Sequence, residues 1–188
     1  MYKRQASVNA NNNPISRALA VEALGLMGRM LLRAVQKPDD LEARTGMLLG
    51  SMLAGQAFAN SPVAAVHALA YPIGGHYKVP HGLSNALVLP HVLRFNAQVA
   101  PEAYAALLPH VFPDLPAMSV AEAALQFAES MADLSRACGL AQGLRDMGIA
   151  REALPILARD AMNQTRLLVN NPRPVDEAAA LKIYEAAW

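Results

Sequence analysis

Five histidines carry most of the chain's capacity for chemistry: His67, His76, His81, His91 and His110. Three of them fall between residues 67 and 81, in an apolar segment punctuated by glycine and proline. An imidazole can ligate a cation, relay a proton or accept a hydrogen bond. His67 lies in a stretch that reads as a helix; His81 follows at the start of another, directly after Pro80. Two imidazoles held on separate rigid elements can converge on one ion. Their spacing is not the i, i+4 pair of a zincin helix, and catalytic metal sites normally take three or four protein ligands. Taken alone, such a pair is more often two ordinary hydrogen-bonded histidines than a metal centre.

The elements that must position these side chains read as helices. Ala and Leu number 63 residues, against 20 for Val, Ile and Thr together, and no stretch alternates with period two. Asn13-Pro14 is a cap followed by proline in a first turn, and Ile15, Leu19, Ala23, Leu26, Met30 and Ala34 recur at helical spacing. Pro38-Asp39-Asp40 opens a second helix, with acids at its positive end. Gly46, Gly50 and Gly55 along it point to close helix packing or close approach to a ligand. Asn60-Ser61-Pro62 breaks it. A third short helix is expected from about Pro62 to Ala70. Tyr71-Pro72-Ile73-Gly74-Gly75 then reads as irregular. A further helix follows Pro80 through Leu83, Leu87 and Val92, with Pro90 kinking it or lying near its first turn. Pro101 to Leu108 is helical, and Pro109 to Pro116, with three prolines, is a loop. Ser119-Val120-Ala121-Glu122 is a capping box, and Gly139 after Cys138 ends that helix. One helix over about Pro155–Leu167 and a last one over Asp176–Ala187 complete a single all-α domain of about eight helices, residues 1–188.

Composition narrows the partners. Sixteen Lys and Arg against fifteen Asp and Glu give a net charge of +1, which offers no electrostatic reason to bind nucleic acid or an anionic membrane. No run approaches the ~20 apolar residues of a membrane helix. A single cysteine, Cys138, rules out an internal disulfide framework, fits a reducing compartment and suggests a cytoplasmic protein. Cys138 itself reads as a small core residue. The start, Met1 to Gln5, is neither a signal nor a transit peptide. Hydrophobic residues reach 54% and charged ones only 16%, against about 25% charged in an ordinary domain. Either the chain is simply an alanine-rich core protein, or one apolar face normally packs on something else.

The string from His67 to Ala86, HALAYPIGGHYKVPHGLSNA, resembles the signature of the iron-containing (group III) alcohol dehydrogenases, H-A-x-[HY]-x-[IVL]-G-G-x-[YF]-x-x-P-H-G-x-x-N-A. The likeness extends along the chain. Asn13-Pro14-Ile15-Ser16 is similar to that family's NPIS helix start, and Leu41-Glu42-Ala43-Arg44 with Met52 to Phe58 to its second helix. Leu89 to Asn96 continues the signature, Leu144-Arg145-Asp146-Met147-Gly148 resembles its LRDLG turn, and Asn171 to Pro174 with Ile183-Tyr184 its C-terminal end.

The resemblance implies that this is the all-helical metal-binding domain of a two-domain enzyme. Its N-terminal α/β domain, which binds NAD or NADP, would be absent, along with a D-x-x-x-H ligand pair that would precede Met1. It makes His67 and His81 ligands of Fe²⁺ or Zn²⁺. Tyr71 falls where many members have a histidine near the nicotinamide and the alcohol. A phenol ionises near pH ~10 in water and is a poorer base than imidazole at neutral pH. Phe58 falls at an aromatic wall of the substrate pocket, where a core phenylalanine would fit equally, and Leu167 on the pocket's other side. Asn85 reads as orienting backbone. His76, Lys78 and His91 read as surface or supporting residues, His110 as solvated, and Arg173 as a tie for the last helix. The implied reaction is hydride transfer between NAD(P) and a small alcohol or aldehyde. The alternatives are a truncated, non-catalytic helical remnant, or a piece of a maleylacetate reductase or glycerol dehydrogenase relative. Two histidines are half a ligand set, so the isolated chain is expected to hold no stoichiometric metal, to be inactive and to self-associate.

Overall fold

The computed structural model describes residues 13–60 and 63–188, and every regular element among them is helical. The expectations for the first twelve residues, for the break at Ser61 and for a helix start at Pro62 lie outside the described residues. The long helices are α1 (Pro14–Gln36), α2 (Leu41–Asn60), α3 (Ala65–Tyr77), α4 (His81–Ala97), α7 (Val120–Ala137), α8 (Leu154–Ala161) and α10 (Glu177–Ala186). Three short pieces join them: α5 (Pro101–Ala105), α6 (Leu108–Val111) and α9 (Thr165–Leu168). Two 3₁₀ turns, Leu144–Met147 and Arg151–Ala153, precede α8.

The starts and stops follow side-chain chemistry. Asn13 accepts from the backbone N–H groups of Ile15 and Ser16, and Ser16 returns a bond to Asn13. Asp40 caps α2 by accepting from Ala43 N–H at 3.0 Å. Ser119 and Glu122 form the expected reciprocal box at α7, and Asp176 caps α10 through Ala179 N–H. Gly139 stops α7 in the left-handed region at φ +75°, which costs glycine nothing.

α3 and α4 form an antiparallel pair at the centre, flanked by α7, α8 and α10. Their shared core holds Leu69, Ile73, Val88, Phe127, Leu144, Leu154, Leu157, Tyr104 and Tyr184, all buried. Fully burying such side chains contributes about 1.5–3 kcal/mol each before entropy is subtracted. α1 and α2 make a helical hairpin. α2 packs on α1, and α1 in turn packs on α6. The glycines of α2 divide: a Cβ on Gly46 would meet Met30 and one on Gly50 would meet Met27, whereas Gly55 faces open space. Close packing therefore explains two of the three.

Three expectations need correction. The stretch Tyr71 to Gly75 is not irregular: α3 runs through it to Tyr77 despite an internal Pro72. Leu69 and Ile73, one turn apart, are buried in the core, and the Tyr184 hydroxyl donates to the Leu69 carbonyl at 2.6 Å. Packing thus overrides the helix-breaking tendency of Pro72. The proline-rich loop opens with a helical turn, α6. The helix expected over about Pro155–Leu167 is two pieces. Met162, Asn163 and Gln164 donate to carbonyls three residues back, which tightens the backbone and ends α8 after Ala161. Of the two placements expected for Pro90, the structure has the interior one, inside α4.

Candidate functional site

His67 and Tyr71 are four residues apart on α3 and so share one face. His81 is the first residue of α4, and a tight reversal brings it back over them. Lys78 takes a left-handed conformation (φ 56°), with its N–H donating to Gly74 O at 3.1 Å and its ammonium to Gly75 O at 3.2 Å. Ser84 closes the reversal from the other side, its hydroxyl donating to the Val79 and Pro80 carbonyls. The Val63 carbonyl, just before α3, accepts from Asn170 Nδ2 at 3.1 Å.

The result is a compact trio. The ring centroids of His67 and His81 lie 5.4 Å apart, tilted by 50°. Tyr71 stacks on His81 at 5.9 Å and 27°. His67 is completely buried, and burial, reinforced by His81, pushes its pKa down to about 3. It is therefore a neutral imidazole at physiological pH. Tyr71 is 45% exposed and His81 is exposed, so the trio opens to solvent on one side. Buried Asn85, one turn after His81, donates through Nδ2 to the His81 carbonyl at 2.8 Å, and the same nitrogen lies 3.1 Å from His81 Nε2. The i, i+4 spacing of His81 and Asn85 could have revealed that link to the ring.

Tyr71 also lines a cleft of about 310 Å³ with Asn163, Gln164, Thr165, Arg166 and Leu167. Leu167 is thus in the same cleft as Tyr71. Phe58, half-buried near the C-terminal end of α2, is not among its lining residues. The four polar residues before Leu167 were missed by sequence reasoning, although a polar run abutting a pocket residue was the available signal. Among the described residues, no group of three or more His, Cys, Asp or Glu is placed to hold a cation.

The remaining histidines sit elsewhere. His76 pairs with Asp160 at 2.6 Å, joining α3 to α8. His91 Nδ1 lies 3.3 Å from the Arg94 guanidinium, which binds Glu129 through two nitrogens. His110 is exposed. Arg173 lies over Phe95 at 3.9 Å and donates to the Phe95 carbonyl and to Gln98, tying the segment before α10 to the end of α4. Cys138 is half-buried, and burial raises its pKa.

Residues 5–188 match the family described as "Fe-containing alcohol dehydrogenase family, C-terminal". The chain belongs to that family. It is 40% identical over 184 residues to long-chain-alcohol dehydrogenase 1 of Geobacillus thermodenitrificans (strain NG80-2), covering 98% of this chain and 47% of that protein. It is 35% identical to the 1,3-propanediol dehydrogenase of Citrobacter freundii, with the same coverage. Among solved structures, a 1,3-propanediol oxidoreductase superimposes with a TM-score of 0.95 at 34% identity, over all of this chain and 49% of that one. The chain spans about half the length of the relatives it matches.

Proposed function

We propose that the chain is the metal- and substrate-binding part of an NAD(P)-dependent alcohol dehydrogenase, with His67 and His81 as two of the ligands to one divalent cation. The observation that carries the reading is the separation of the two rings. Two imidazoles bound at about 2.0–2.1 Å on a tetrahedral ion have ring centroids about 5.2 Å apart; His67 and His81 stand at 5.4 Å. The donor chemistry fits as well, because a ligating imidazole must be neutral and burial keeps His67 so.

The cation, Fe²⁺ or Zn²⁺, would polarise the alcohol or aldehyde oxygen while NAD(P) exchanges the hydride. His67 supplies a rigid nitrogen from a dry helix face. His81 supplies the second from the rim, its ring held by Asn85. Tyr71 stands over His81 at the solvent side, where its hydroxyl can hydrogen-bond the substrate oxygen and pass a proton. Leu167 forms the apolar wall of the cleft, and Phe58, which lies outside that cleft, is read as an apolar wall of the substrate pocket from α2. The remaining ligands, the nucleotide and the covering of the apolar faces come from an N-terminal nucleotide-binding domain.

The test is complementation. The purified chain should leave NADH and a short aldehyde unreacted with Fe²⁺ present. Adding the N-terminal half of a family relative should start NADH consumption and retain one equivalent of metal per pair, and His67→Ala or His81→Ala should abolish both. Metal retention untouched by either alanine would discard these ligands.

A further inference from the structure

We infer that the cleft beside Tyr71 selects a substrate bearing a carboxylate as well as the reacting alcohol or carbonyl, and that Arg166 recognises it. The inference rests on the dehydrogenase reading of the His67–Tyr71–His81 trio. Tyr71 is one wall of the cleft, and Asn163 to Leu167 form the rest. That lining offers one cation, Arg166, four neutral hydrogen-bonding side chains and no acid.

Among the described residues Arg166 has no ion pair, as is also true of Arg17, Arg29, Arg145 and Arg159, but Arg166 is the arginine that lines this cleft. Arg33, Arg94 and Arg136 pair with Asp40, Glu129 and Asp133, and Arg173 lies over Phe95. Arg166 makes no such ion pair or ring contact among the described residues. Asp160, at the end of α8, is taken by His76. The segment bearing Arg166 is nonetheless anchored: its carbonyl accepts from Asn170 Nδ2, the nitrogen that also binds Val63 at the head of α3. Arg166 is exposed and lines the cleft; an unpaired guanidinium at such a rim raises the local positive potential, and its planar fork matches the two oxygens of a carboxylate. A plain alkyl tail gains nothing from it and would have to desolvate it. Because the cleft is only about 310 Å³, a carboxylate held there lies on the same small molecule whose other end meets Tyr71. That makes the substrate class a short hydroxy acid or oxo acid.

3-Hydroxypropionate and 1,3-propanediol share a three-carbon skeleton and differ at one terminus. Each is titrated into the ¹⁵N-labelled 188-residue chain without metal or nucleotide, following the Thr165, Arg166 and Leu167 amides and the Tyr71 ring by NMR. The acid should saturate these shifts at a concentration about tenfold or more below the diol, the margin of a charge-assisted pair. Arg166→Leu should erase the difference, and Arg166→Lys should keep part of it. Equal binding of acid and diol, or a preference that survives Arg166→Leu, overturns the inference. So does inorganic phosphate displacing the acid at equal or lower concentration, since the anion would then be a phosphate. None of these results touches the metal-retention test, so the two readings fail separately.

Discussion

One amide nitrogen of Asn85 serves His81 twice, lying 2.8 Å from its carbonyl oxygen and 3.1 Å from its Nε2. A single buried side chain therefore sets both the first turn of α4 and the rotation of the ring at its head. Asn85 Oδ1 is buried with no hydrogen-bond partner among the described residues. Asn85→Ala should free the His81 ring while removing that orphaned oxygen as well. The net stability loss should then be only about 1 kcal/mol, while long-range ¹⁵N–¹H spectra show His81 exchanging between tautomers. A ring signal unchanged by the substitution would mean that Asn85 does not orient it.

Tyr184→Phe should cost about 1–2 kcal/mol in chemical denaturation. It keeps the ring volume but removes the bond to the Leu69 carbonyl, one turn before Pro72, in a helix already short of one backbone donor. Amide exchange should quicken in the second half of α3. A variant as stable as the parent, with α3 unchanged, would show that packing alone carries the helix past Pro72.

Gly28→Ala should destabilise by about 1–3 kcal/mol. The added methyl would come within 3.0 Å of the Val111 backbone and closer still to its side chain, forcing α1 off α6. Gly55→Ala, facing open space, should be neutral or slightly stabilising because alanine suits a helix interior better. Thermal unfolding of the two variants side by side checks both signs.

Stability should fall as pH drops from about 6.5 toward 4. Burial, with the Arg94 charge beside it, pushes His91 down to about 4 against the opposing pull of Glu129. An unfolded histidine takes its proton near pH ~6.5. Across that window the unfolded chain holds more protons, so acid favours it; above the window the contribution is constant. His67 acts in the same sense. His91→Gln should flatten the slope of unfolding free energy against pH by an amount on the order of 2–3 kcal/mol over the window. An unchanged slope would remove His91 from the account.

The isolated chain should associate. Leu41, Leu48 and Met52 are all more than half exposed along α2, with Leu49 beside them at 43%. Leu48→Lys with Met52→Lys should lower the sedimentation coefficient and the binding of an apolar dye. A parent chain that sediments as a monomer at high concentration would leave no role for that face in association.

Caps, prolines and the histidine string made most of this legible. Asn13, Ser119 and Asp176 announce helix starts because each satisfies orphan N–H groups locally, within three residues. Pro72 misled because what offsets it, the Tyr184 hydroxyl, is 115 residues away from Leu69 and invisible to any local rule. The cleft had the same cause: Arg166 and Tyr71 come to line one cleft only through folding, and nothing in either neighbourhood announces the other. The 3₁₀ tightening after Ala161 likewise left no periodic trace.

The α1–α2 hairpin should make the molecule thermodynamically two-tiered, although Leu24 of α1 joins the main core. Its buried Ala20 and Ala57 form a small cluster separate from the main core, and among the described residues α2 packs chiefly on α1. Such a unit can open without dissolving the rest. Phe58 rides on this looser tier, while His67, Tyr71 and His81 belong to the firmer one. Breathing of the hairpin would move Phe58 relative to a fixed trio, so, on the reading of Phe58 as a wall of the proposed pocket, the width of that pocket would vary while its chemistry stayed in place.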